Sequence, residues 1–373
     1  MRQHLLNNLK NIPGWRTGRK LIALAVDDYG NVRVHSKKAR SQMDKAGLKI
    51  YSRFDAYDAL ENREDLEQLF DVLRSVRDKN NRHAIFTPYA LPCNINFEQM
   101  ASDKYTTYQY ECLPETYAKL AAMMPGEYEG AWSLWQEGIE EGLWAPQFHG
   151  REHLNLQFFR ERLSKQDHQL ITALRNRSFT SQDDSGYPTI SYTAAFDFWE
   201  PHTNRQFVKI IHDGLNRFAQ VFGYPATCFN APGGRESRAI HPALRQGGIK
   251  YIEQPLIKKE HLGFGKYRLL YHYTGKRTKA DMPVMVRNVV FEPTAPKGFD
   301  WVNFTLKQIE TAFRWYKPAI ISSHRVNFSG HINSDNRSLG LKALKSLLTT
   351  ITKKWPDVEF VSMAELGDMI VGT

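Results

Sequence analysis

The sequence predicts an α/β fold, parallel strands alternating with helices and closing into a barrel of about seven or eight strands. Two observations carry this expectation. Short, unbroken apolar runs recur along the chain, and amphipathic stretches of helical length lie between most of them.

The first run, 21–26, is Leu-Ile-Ala-Leu-Ala-Val and suits a strand buried on both faces. Similar runs fall at 84–86, 143–148, 227–229, 249–252, 284–290, 319–322 and 358–361. The stretches 58–79, 204–222, 303–316 and 337–354 carry helical periodicity between them. With about eight strands a closed barrel is favoured over an open doubly wound sheet. The chain has 373 residues, a length that alternating folds reach as one unit, so a single catalytic barrel domain over 1–373 is expected. A polar stretch breaks the rhythm and predicts an insertion or long loop at 88–142, near the site.

Composition narrows the class. Apolar residues make up 42% and charged residues 24%, a globular profile. The formal charge of +10 is spread along the chain rather than gathered into runs, so no nucleic-acid partner is expected. No stretch approaches the ~18 to 20 apolar residues of a spanning helix, and the first twenty residues lack the apolar centre of a signal peptide. A cytoplasmic location is the expectation. Cys93, Cys112 and Cys228 have no CxxC spacing, which indicates neither a disulfide framework nor a sulfur-ligated zinc, and ordinary reduced thiols are expected.

In such folds chemistry gathers at the carboxyl ends of the strands, and that rule selects the polar residues. Asp27 and Asp28 follow the first run. Adjacent strand residues point to opposite faces, so the two carboxylates could take different roles, one on a metal and one on a proton. The same Asp-Asp-x-Gly pattern also makes an ordinary turn. His149 and His153 follow the run at 143–148 and stand at i and i+4, one face of a helical turn if one forms there. Asp28, His149 and His153 together leave coordination positions open, as a catalytic metal site requires. Asn230 and Arg235 flank the Pro232 turn, and His324 ends the run at 319–322.

Taken in order, Val26-Asp27-Asp28-Tyr29-Gly30, His149-x-x-x-His153, Phe229-Asn230-Ala231-Pro232-x-Gly234 and Ser322-Ser323-His324 resemble the polysaccharide deacetylase family (NodB-like, carbohydrate esterase 4), including its relatives in O-antigen biosynthesis. The Asp-Asp-Tyr-Gly form is also similar to the YdjC-like carbohydrate deacetylases. The resemblance spans roughly residues 20–365. It implies a distorted NodB-like (β/α) barrel and removal of an N- or O-acetyl group from a sugar. It implies Asp27 as catalytic base, Asp28, His149 and His153 as metal ligands, and His324 as catalytic acid. Tyr29, Arg151, Asn230, Pro232, Arg235 and Arg325 would support the site or bind substrate. Where the family carries an arginine that orients the base this chain has Asn230, and Arg235 or Arg151 could supply the guanidinium instead.

One divalent metal ion is expected, zinc first, with cobalt, nickel or iron also compatible with two imidazoles and a carboxylate. The expected partner is an acetylated sugar, a nucleotide sugar or a lipid-linked saccharide, in cell-surface polysaccharide biosynthesis. Two other readings use the same residues: a deacetylase fold that binds glycan without catalysis, and a non-haem iron oxygenase. The second conflicts with the alternation of strands and helices, since such oxygenases usually sit in all-β barrels.

Overall fold

The computed structural model describes residues 2–48, 52–181, 186–298 and 300–372. Its strands, in chain order, are β1 Lys20–Tyr29, β2 Phe86–Ala90, β3 Cys93–Ile95, β4 Tyr110–Cys112, β5 Gln147–Phe148, β6 Cys228–Phe229, β7 Tyr251–Glu253, β8 Ile257–Gly263, β9 Lys266–Tyr271, β10 Val284–Met285, β11 Val289–Val290, β12 Ala319–His324 and β13 Val358–Phe360. Eight of these form a sheet in the order β10-β7-β6-β5-β2-β1-β12-β11, and β13 pairs with the first residues of β1. Every pairing in this sheet is parallel.

The topology itself forces the sheet to curl. Laid flat, eight strands at ~4.8 Å per step would separate β10 from β11 by about 34 Å. Only residues 286–288 connect these two end strands. At ~3.5 Å per residue that link reaches about 14 Å, so the ends must come round to face each other. The result is a distorted barrel with a seam between β10 and β11, as the sequence predicts.

Side-chain alternation along β1 divides the core. Ile22, Leu24 and Val26 belong to the large apolar cluster beneath the helices. Leu21, Ala23 and Ala25 belong to a second cluster with Tyr89, Cys228, Tyr251, Met285 and Ile320, contributed by five other strands of the sheet. That second cluster is the barrel interior, and Met363, Leu366 and Ile370 of the helix Met363–Val371 pack into it. Small residues on β1 leave room for larger ones opposite, the usual solution in a filled barrel.

Several expected elements are shorter or divided. Of the helical stretch 58–79 only Arg63–Arg74 is helix, and a separate short helix, Arg53–Tyr57, precedes it. The break has a local cause: Asn62 accepts from the Asp65 N–H while the Asp65 side chain accepts from the Asn62 N–H, a reciprocal cap that starts a new helix. The run 284–290 is two strands, β10 and β11, because it crosses the barrel seam. Of the run 143–148 only Gln147–Phe148 forms a strand, with a single bridge from Trp144 to Phe86. The stretch 88–142 holds the end of β2, the antiparallel β3–β4 pair, and helices Phe97–Ser102, Leu113–Met123, Pro125–Tyr128 and Ala131–Glu140.

Candidate metal centre and proton-transfer site

Carboxyl ends of the strands converge on a cavity of about 270 Å³ that Asp27, Asp28, His149, His153 and His324 all line. Asp27 continues the parity of Leu21, Ala23 and Ala25 and so points into the barrel. It stands in register with His324 on the neighbouring β12. Alternation alone would turn Asp28 the other way. A register shift between Val26 and Tyr29, with Asp28 at φ 78°, brings the second carboxylate to the same cavity. A left-handed backbone is uncommon outside glycine, although aspartate tolerates it better than most residues.

The two histidines meet without a helical turn, contrary to the i, i+4 expectation. His149 directly follows β5, and the chain runs irregularly through Gly150, at φ 138°, before the next helix begins at Leu156. His153 Nε2 lies 3.0 Å and His149 Nε2 3.5 Å from Asp28 Oδ1. One ligand atom from each of the three residues can be chosen so that all lie within 4.8 Å of one another.

His149 Nδ1 stands 2.8 Å from the backbone oxygen of Asn230. A carbonyl oxygen only accepts, so the Nδ1 proton is fixed there, and in the neutral ring Nε2 carries a lone pair. That buried Nε2 has no hydrogen-bond partner. A lone pair facing a carboxylate at this distance is the arrangement a cation resolves, and the residues therefore fit a divalent metal. Burial opposes the charged form of Asp28, but the facing imidazoles of His149 and His153 outweigh it and hold the carboxyl well below its ordinary range. Burial in turn lowers His153. Both effects favour the ligand forms, carboxylate and neutral imidazole.

Beside this cluster lies a second set of groups. Arg287 donates from Nη2 to Asp27 Oδ1 at 2.6 Å and from Nη1 to Oδ2 at 2.7 Å. Asn230 Nδ2 donates to Oδ1 at 2.8 Å. Burial raises the Asp27 carboxyl, and the Arg287 guanidinium more than offsets this, leaving it below the ordinary value. His324 Nε2 is 3.8 Å from Asp27 Oδ2, and its Nδ1 is 2.6 Å from Glu292 Oε1. Burial works against the imidazolium, but Glu292 outweighs it and raises His324 to about 9. Phe54 packs edge-on to the His324 ring at 5.2 Å. The site thus sets a carboxylate pushed toward its ionised form beside an imidazole pushed toward its protonated form, the two states that general base and general acid require.

Arg287 is the guanidinium absent from the position of Asn230. It sits in the link between β10 and β11, and Asn230 instead accepts from His149 and donates to Asp27. Arg287 also donates from Nε to Glu253 and lies over the Tyr89 ring at 5.2 Å. Sequence reasoning passed over Arg287, Glu253 and Glu292. It also passed over Arg33, which lines the cavity while bound to Asp55.

The three arginines expected in the site lie elsewhere. Arg151 is held by Glu152 and Asp213 and stacks on Tyr110, in a different cavity. Arg235 bonds to Asp197 and the Thr189 carbonyl, in a cavity beneath the β8–β9 pair. Arg325 is 1% exposed, with Nε 2.9 Å from Asp58 and Nη1 2.9 Å from Glu61. In each case neighbouring acids capture the side chain. Tyr29 is core, packed against Phe86, Trp135 and Trp144. Pro232 is buried at the head of a turn, while its neighbours Ala231, Gly233 and Gly234 line the cavity.

No family model and no curated protein matches the sequence. Among solved structures, a protein assigned as a polysaccharide deacetylase from Mycobacterium smegmatis is 11% identical, with 96% of this chain and 92% of that one covered and a TM-score of 0.48. Puue allantoinase is 10% identical, with 96% and 93% covered and a TM-score of 0.46. A family 4 acetyl xylan esterase from Clostridium thermocellum, solved with a cobalt ion, is 10% identical, with 94% and 91% covered and a TM-score of 0.38. Two of the three names belong to the deacetylase and acetyl esterase group that the motifs resemble. At these values the likeness carries no argument about the reaction of this chain.

Proposed function

We propose that this protein is a metal-dependent hydrolase that removes an N- or O-acetyl group from a sugar, acting in the formation of a cell-surface polysaccharide. The observation that carries the reading is the placement of Asp27, clasped by Arg287, 3.8 Å from His324, which is bound to Glu292, beside the Asp28, His149 and His153 cluster. An acyl transfer to water needs one group to take a proton from the nucleophile and another to give one to the leaving atom. Arg287 pushes Asp27 toward its ionised form and Glu292 pushes His324 toward its protonated form, which suits the two groups, 3.8 Å apart, to those roles.

Asp28, His149 and His153 would hold the cation. A divalent metal there, zinc first, supplies Lewis-acid polarisation of the acyl carbonyl and a more acidic water. Asp27 takes the proton of the attacking water. Arg287 and Asn230 fix its carboxylate plane and keep it ionised. His324 gives its Nε2 proton to the departing amine or alcohol. Glu292, bound to Nδ1, orients the ring and stabilises the imidazolium. The His324 side chain is 32% exposed, so the proton it carries is open to a bound ligand.

Acetate release from N-acetylated and O-acetylated oligosaccharides by the metal-loaded protein tests the reading. Asp27→Asn and His324→Ala should each lose ~10² to 10⁴-fold in rate. Near-normal rates in both variants, or tight glycan binding with no acetate released by the unaltered protein, would overturn it.

A further inference from the structure

We propose that Cys93 and Cys112 form a reversible disulfide that staples the antiparallel β3–β4 pair, the brace shared by the loops bearing Asp28 and the two histidines. The pair are register partners. The Leu113 N–H donates to the Pro92 carbonyl at 2.8 Å and the Asn96 N–H to the Gln109 carbonyl at 3.0 Å. Hydrogen-bonded positions therefore fall at 92 with 113 and 96 with 109, and the alternation leaves Cys93 opposite Cys112 as a non-hydrogen-bonded pair. Such pairs bring Cα atoms to about 4.5 Å, within the span a disulfide accepts. Consistently, the Cys93 N–H turns outward, to the Arg151 carbonyl at 3.2 Å.

The two thiols divide the chemistry. Cys93 is 1% exposed, whereas Cys112 is half-buried, just ahead of the helix Leu113–Met123. A hydrogen bond from the Cys93 thiol lowers Cys112 to about 7 and raises Cys93. Cys112 is thus the accessible nucleophile and Cys93 the resolving thiol. A small-molecule disulfide such as oxidised glutathione supplies the oxidant. The Cys112 thiolate attacks one of its sulfurs and releases a thiolate, which takes up a proton. Cys93, losing its proton, then attacks the Cys112 sulfur and expels the second thiolate. The protein dithiol gives up two electrons and two protons, and the oxidant becomes two thiols. Cys228 lies in the barrel interior at 0% exposure and stays out of the exchange.

The staple sits where it can matter. Asn94, next to Cys93, accepts from the Val32 N–H at 2.9 Å and donates to the Gly30 carbonyl at 2.9 Å, just after Asp28. Cys93 itself holds Arg151, between His149 and His153. Closing the bond should stiffen both loops, an effect on metal retention that rests on the function proposed above.

Folded protein treated with oxidised glutathione, then alkylated and digested, tests the proposal. The expected product is one intramolecular bond between Cys93 and Cys112, a loss of about 2 Da, with Cys228 free and reversal by dithiothreitol. The oxidised form should melt a few degrees higher. It should also lose zinc to a chelator more slowly than the reduced form. Cys93→Ser should give only a mixed disulfide at Cys112. Recovery of both thiols alkylated, or of Cys112 as the mixed disulfide in the unaltered chain, would overturn the disulfide. A bond that forms without slowing zinc loss would overturn the bracing role, and a chain that binds no zinc would leave the mapped bond standing while removing the metal site.

Discussion

Arg287 clasps both carboxylate oxygens of Asp27, at 2.7 and 2.6 Å, across a separation of 260 residues in sequence. The contact is made across the barrel, from the seam between β10 and β11 to the end of β1. It keeps Asp27 ionised against its burial.

Arg287→Lys retains the charge and loses the fork, so acetate release should fall by roughly tenfold or more through misorientation of Asp27. Arg287→Ala removes the influence that lowers the Asp27 carboxyl and leaves burial to raise it. The acid limb of the kcat/KM profile should then move to higher pH, as measured by rate against pH for both variants.

Glu292→Gln tests the other proton carrier. A raised His324 is active as an acid below its own value, so activity that depends on it should persist to about pH 9 and fall above that. Without the Glu292 charge the alkaline limb should move down toward the ordinary 6.5. An unchanged alkaline limb would mean that another group supplies the proton.

Arg325→Ala should act on stability rather than on substrate. Its guanidinium is buried against Asp58 and Glu61, and removing it leaves two carboxylates without their counterion. Loss of one partner from a buried ion pair costs about 3–5 kcal/mol. Urea unfolding should report that loss, with KM unchanged for the fraction that remains folded.

Metal removal should lower both activity and melting temperature. A ligand bound only by the folded state, at a hundred times its Kd, stabilises by about 2.7 kcal/mol. Thermal melts with and without added zinc should therefore separate for the unaltered chain and coincide for His153→Ala.

Most of the fold was legible because its signal is local. The run 21–26 is buried on both faces as its composition demands, and the residues at strand ends do gather at one cavity. What escaped the sequence depends on backbone detail and on long-range pairing. Taken as one strand, 284–290 hides the turn inward at Arg287. The bulge that swings Asp28 beside Asp27 leaves only the Tyr-Gly that follows as a trace. A usable signal did exist: Arg287 and Glu253 each stand two residues beyond an interior residue, Met285 and Tyr251, the same parity that carries Ala25 to Asp27. Arginines were harder, since Arg151, Arg235 and Arg325 differ from Arg287 only in which acids the fold places beside them.

Anomalous scattering from crystals grown with zinc tests whether Asp28, His149 and His153 hold the metal. One peak is expected, bonded to a carboxylate oxygen of Asp28 and a ring nitrogen of each of His149 and His153, at about 2.0–2.2 Å. A zinc-replete crystal with no peak among these three residues, or with its peak on other ligands, would contradict it.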